Sequence, residues 1–149
     1  MNELRELYEE VILDHNRNPR NYPKKPDHCN HTAHGFNPLC GDQVQVHLYV
    51  DNGKVVDVGF EGDGCAISTA SASMMTEAIK GRDIAEVQEL FGTIHTLLTD
   101  SSSEVDEDAL GKLAVMIGVR EFPMRVKCAT LAWHTMQAAL NGEEKASTE

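Results

Sequence analysis

No run of about 18 apolar residues occurs in the 149-residue chain, so no segment is long and apolar enough to span a bilayer as a helix. The opening Met1-Asn2-Glu3-Leu4 lacks a basic stretch followed by an apolar one, and no secretory leader is expected. Positive charge is scarce. Thirteen lysines and arginines against 24 aspartates and glutamates leave a formal charge of -11, which argues against nucleic acid, whose phosphates would be repelled. There are only four cysteines, and without a leader they do not suggest a disulfide framework. Reduced thiols in a cytoplasmic protein are the expectation. Two zinc signatures are also missing. No H-E-x-x-H or H-x-E motif offers a general base for hydrolysis, and no paired C-x-x-C marks a closed zinc module. The length suits one domain over residues 1–149, with a polar tail from about residue 140 expected to fray.

What the chain does hold is three cysteines set among glycines and small residues. They lie in Asn37-Pro38-Leu39-Cys40-Gly41-Asp42, Gly62-Asp63-Gly64-Cys65-Ala66-Ile67-Ser68 and Arg125-Val126-Lys127-Cys128-Ala129. Thiolates favour zinc and iron–sulfur clusters, and Cys40, Cys65 and Cys128 with the Asp42 carboxylate make the four ligands of a tetrahedral centre. The carboxylate is the harder and weaker partner for a soft metal.

Periodicity places these residues. Leu4, Leu7, Tyr8, Val11 and Ile12 repeat at helical spacing until Asn18-Pro19 breaks the pattern. Residues 27–35 are polar and rich in histidine. Val44, Val46, Leu48 and Val50 then alternate with polar residues, as do Val56, Val58 and Phe60, around Asn52-Gly53. That is a β-hairpin with a type I′ turn. Asp42 and Cys40, two apart ahead of the first strand, are expected to face one side. A helix over 67–80 puts Cys65 at a helix N-terminus, where partial positive charge favours thiolate. Helices are expected over 84–98 and 109–117, and a last one after Pro123 has Cys128 in its first turn or so. The fold class is α+β, a small antiparallel sheet of about three strands covered by helices on one side.

Taken singly, a free cysteine fills a core, but three of them at one strand start and two helix starts point to a shared site. Cys29 stands among His28, His31 and His34, a tract that can bind metal, although its spacing matches no zinc module. His15, His47, His95 and His134 fall in helix or strand patterns and read as structural. Between Asp83 and Gly111 there are eight acidic residues, Glu104, Asp106, Glu107 and Asp108 among them, and no lysine or arginine. This block is a solvated face or a docking surface for a basic partner.

The three cysteine segments, together with Tyr8-Glu9-Glu10-Val11-Ile12-Leu13-Asp14-His15 and Asn18-Pro19-Arg20-Asn21, resemble the iron–sulfur assembly proteins of the IscU/NifU N-terminal family over nearly the whole chain. Lys127 stands before Cys128 where IscU-type scaffolds carry a histidine, and the longer Cys65-to-Cys128 interval is similar to that of the SufU branch. The resemblance implies a SufE/IscU-like α/β sandwich and a zinc or iron–sulfur site of Cys40, Asp42, Cys65 and Cys128. It also implies a SufS-type cysteine desulfurase as partner, with downstream iron–sulfur assembly components beyond it. Two accounts stay open: a zinc-dependent acceptor of persulfide sulfur, and a scaffold that assembles and passes on a [2Fe-2S] cluster. Neither is a conventional enzyme. In the first account Cys40, in a glycine-containing loop, is the sulfur acceptor, and Asp42 is the weak ligand that lets the site rearrange.

Overall fold

The computed structural model of the protein describes residues 2–38, 41–100, 113, 116, 118–119 and 122–147. In chain order the elements are α1 (Asn2–Arg17), β1 (His31–Asn37), β2 (Asp42–Asp51), β3 (Lys54–Asp63), α2 (Ala66–Ile79), α3 (Ile84–Thr99), α4 (Pro123–Leu140) and β4 (Lys145–Ser147). The expected helix over 109–117 and the acidic residues Glu104, Asp106, Glu107 and Asp108 lie outside the described residues or among their isolated members.

The sheet runs β3-β2-β1-β4. Antiparallel pairing holds for β1 with β2 and β2 with β3, whereas β4 is parallel to β1. The hairpin turn is as expected: Asn52 and Gly53 both have positive φ, 53° and 72°, the type I′ signature whose twist matches the flanking strands. Val44, Val46 and Leu48 point inward with Val58 and Phe60. Helices α2 and α4 cover that face, and α1 and α3 pack behind them. The α+β architecture with helices on one side of the sheet is therefore as expected.

Three details differ from expectation. The histidine-rich stretch is a strand, β1, which pairs along its whole length with β2. Its inward residues are Ala33, Gly35 and Asn37, too small or polar to produce an apolar alternation. Residues 145–147, expected to fray, instead form the fourth strand on the far side of β1. In β3 the inward residue is Val55, fully buried, while Val56 is 41% exposed. A register shift opposite Tyr49 and Val50 inserts one extra residue, and a bulge of that kind flips the parity of the strand beyond it.

Histidines help to tie the helices to one another. His15 Nδ1 pairs with Ser73 Oγ at 2.7 Å, and the Ser73 oxygen also accepts the Arg20 N–H at 2.8 Å, which fixes the end of α1 on α2. His134 on α4 meets the ring of His95 on α3 edge-on, with centroids 5.4 Å apart. Burial, and after it the neighbouring His95, hold His134 below the usual histidine range. The polar face of the sheet is crossed by the segment after α1, where Lys24 N–H donates to Phe60 O at 3.2 Å and Lys24 Nζ pairs with Asp57 at 2.7 Å.

Helix α4 passes close to the sheet at Gly35. A Cβ there would overlap the Thr135 hydroxyl and lie 3.3 Å from Leu131 Cδ1. Gly35→Ala is expected to destabilise by about 1–3 kcal/mol, as overpacking does. In a Thr135→Ala background the same change should cost less than half as much. Urea unfolding of the four proteins checks this, and an equal cost in both backgrounds would place the constraint elsewhere.

Candidate metal centre

Asp42 is the first residue of β2 and pairs with Asn37 across the connection from β1. Only 5% exposed, it cannot leave its oxygens unsatisfied without a penalty of several kcal/mol. Its Oδ1 accepts the Cys65 backbone N–H at 3.1 Å, and its Oδ2 accepts the Ser68 hydroxyl at 2.5 Å.

Cys65 is the N-cap of α2, in extended conformation (φ -68°, ψ 171°). Its sulfur accepts the Ser68 N–H at 3.4 Å, so a donor of the first helical turn points at Sγ and favours negative charge there. Cys128 is the sixth residue of α4, in the second turn and buried. It therefore sits just beyond the first turn expected for it, where the helix-end field has fallen off. Serines of α2 hold α4 in place: Ser71 donates to Ala129 O at 2.5 Å, and Ser68 Oγ lies 3.3 Å from Cys128 O.

One ligand atom each from Asp42, Cys65 and Cys128 lies within 4.8 Å of the other two. Two sulfurs and a carboxylate oxygen at such separations fit a tetrahedral ion of the zinc type with one position left for a fourth donor. Cys40, the remaining residue of the expected set, lies outside the described residues. It stands in sequence between Pro38 and Gly41, and Gly41 N–H donates to Asn37 O at 2.8 Å. An open cleft of about 640 Å³ extends from Asp42 along Gln43, Phe36 and Lys145. Of the Cys/His tract, His34 lines the same cleft, and the other members have partners of their own. His28 packs against Tyr49, His31 Nδ1 pairs with Asn30 Oδ1 at 2.8 Å, and Cys29 contacts Thr32.

Ser68 was not among the residues expected at the site, yet it touches every described ligand. Its signal was present in Cys65-Ala66-Ile67-Ser68, where a cap residue is followed at the third helical position by a polar one, the spacing of a capping box.

A family model described as NifU-like N terminal domain matches residues 7–141. The zinc-dependent sulfurtransferase SufU of Bacillus subtilis is 41% identical over 138 residues, covering 93% of this chain and 92% of that protein. The iron–sulfur cluster assembly scaffold protein IscU of Thermotoga maritima is 40% identical over 135 residues, 90% of this chain and 92% of that one. Among solved structures, FiSufU from Fervidobacterium islandicum AW-1, titled an iron–sulfur cluster assembly scaffold protein for the SUF system, superposes with a TM-score of 0.82. It is 36% identical, over 90% of this chain and 96% of that one. Since the matched span contains all of the cysteine motifs and the site they build, the chain belongs to the NifU-like N-terminal domain family.

Proposed function

We propose that the protein accepts persulfide sulfur from a cysteine desulfurase for iron–sulfur cluster assembly, with Cys40, Asp42, Cys65 and Cys128 holding a zinc ion. The observation that carries this reading is the convergence of Asp42, Cys65 and Cys128 within 4.8 Å around a carboxylate already held by two hydrogen bonds. The relative named as a zinc-dependent sulfurtransferase supports it, as does Lys127 in the place of a cluster-scaffold histidine. A cytoplasmic location accords with this role, and no helix of the described residues is long and apolar enough to cross a membrane.

A bound zinc ion would keep the ligand thiols deprotonated and restrain them as nucleophiles until released. The chain supplies the rest. Cys65 and Cys128 are fixed on helices and serve as the permanent sulfur ligands. Asp42 is held by Cys65 N–H and Ser68 Oγ–H, bonds that let the carboxylate stay ordered whether or not it ligates. Cys40, in the connection between β1 and β2, is the thiol that leaves. Its sulfur attacks the outer sulfur of the desulfurase persulfide; a new S–S bond forms on Cys40, the old one breaks, and the electron pair returns to the desulfurase cysteine. Docking of that partner through the acidic block between Asp83 and Gly111 completes the proposal.

Three outcomes are expected. The protein purified without oxygen should hold one tightly bound zinc and be colourless, and Cys65→Ala or Cys128→Ala should lose most of the metal while Cys29→Ser keeps it. Metal analysis with an absorption spectrum decides; iron with acid-labile sulfide would instead favour the cluster scaffold.

Ser68→Ala, which frees one carboxylate oxygen, should weaken zinc retention by about 10–100-fold, the usual effect of removing a group that orients a ligand. Competition with a chromophoric chelator measures it. Unchanged affinity would make the Ser68–Asp42 bond irrelevant to the centre.

After incubation with a desulfurase and cysteine, peptide mass spectrometry should place one added sulfur, about 32 Da, on Cys40, and Asp42→Ala should accept it poorly. Sulfur on Cys65 or Cys128 with Cys40 unmodified would overturn the assignment.

A further inference from the structure

Cys29 is placed at the end of a directional chain of polar groups that the metal centre does not use. Its Sγ lies 3.2 Å from Thr32 Oγ1, Thr32 Oγ1 lies 3.0 Å from His47 Nδ1, and His47 Nε2 lies 2.9 Å from Glu61 Oε1. The directions follow from the end of the chain. An ionised carboxylate only accepts, so Nε2 of the neutral imidazole carries the proton and Nδ1 is the acceptor. The Thr32 hydroxyl then donates to Nδ1, and its oxygen is left to accept from the Cys29 thiol, which also has His31 O at 3.5 Å. Nucleophile, base and a third group that orients the base are thus in hydrogen-bond series.

The array is independent of the metal centre. Thr32 is the direct partner of His47 across β1 and β2, and His47 lies five positions along β2 from Asp42, roughly 17 Å along the strand. The odd interval also puts the two side chains on opposite faces of the sheet. His47 is buried, whereas Cys29 is half-buried and Glu61 half-exposed. A buried base under a partly accessible thiol is an arrangement suited to a small reagent rather than to a protein surface.

We propose that Cys29 is a covalent modification site that forms mixed disulfides with low-molecular-weight disulfides, with His47 as its base through Thr32. As the Cys29 sulfur attacks one sulfur of the reagent, the thiol proton passes to Thr32 Oγ1 and the Thr32 proton to His47 Nδ1, and Glu61 stabilises the resulting imidazolium. The S–S bond of the reagent breaks and a new one forms to Cys29. Cys29 is oxidised and the reagent reduced, its leaving thiolate taking a proton from solvent.

The test treats the zinc-loaded protein with 2,2′-dipyridyl disulfide, follows thiopyridone release, and maps the adduct by peptide mass. Cys29 should be labelled, and Thr32→Val, which keeps the shape and removes the hydroxyl, should slow its labelling by about tenfold or more, the low end of general-base effects or below. His47→Gln should slow it similarly. Thr32→Ser should retain the wild-type rate, and metal content should be unchanged in all three. An unlabelled Cys29, a Thr32→Val rate equal to wild type, or a Thr32→Ser loss as large as that of Thr32→Val would overturn the proposal. These results are indifferent to whether the metal centre transfers sulfur or carries a cluster.

Discussion

The bond between the Ser68 hydroxyl and the Asp42 carboxylate, 2.5 Å long and buried, is the point at which sheet and helices are locked to one another at the site. Asp42 opens β2, Ser68 is in the first turn of α2, and the same hydroxyl reaches the Cys128 carbonyl of α4. A buried carboxylate without partners would be costly, so once Asp42 is drawn into the fold, α2 must present its N-terminus to it. That places the Cys65 N–H on Oδ1 and the Cys65 sulfur beside it. The convergence of the candidate donor atoms is thus a consequence of satisfying one buried anion.

The second constraint is the closeness of α4 to the sheet. Cys128 can reach Asp42 and Cys65 only because α4 lies low over β1, and Gly35 under Thr135 allows that approach. Ser71 bonding to Ala129 O sets the height of the helix on its other side. Small residues along α2, with Ala70, Ser71, Ala72 and Ser73 all buried, let two helices and a sheet converge within a few ångströms of the sulfurs. The helix is consequently buried over most of its residues, its serines included, rather than amphipathic.

Elements with a strong local signal were legible: the Asn52-Gly53 turn, the alternation in β2, the cap at Cys65 and the start of α4 at Pro123. Three of the four expected ligand residues could be placed, and Asp42, Cys65 and Cys128 are brought together. What sequence could not disclose was fixed by partners distant in the chain. β1 has Ala33, Gly35 and Asn37 as its inward face, a set chosen by the nearness of α4 and carrying no periodic hydrophobicity. β4 is three residues long and exists because β1 offers it an edge. Val56 alternates correctly with Val58, yet a bulge set by the partner strand turns it outward. Ser68 was overlooked because its role depends on Asp42, 26 positions earlier.

The pleat of β2 has a further consequence for the chemistry of the thiols. Asp42, Val44, Val46 and Leu48 share the helix-covered face, and His47, at odd spacing from all of them, belongs to the other. Cys65 and Cys128 are served by the first face, Cys29 by the second, with the sheet between. A thiol that ligated a metal would be restrained by the ion, and its reactivity would follow ligand release; a thiol in series with Thr32, His47 and Glu61 is governed by proton transfer. Two thiols of different control can coexist in one small domain because the sheet stands between the faces that serve them. The parity of a single strand therefore keeps Cys29 out of the metal centre, and the Cys/His tract reads as a metal site only until the sheet assigns its members to separate partners.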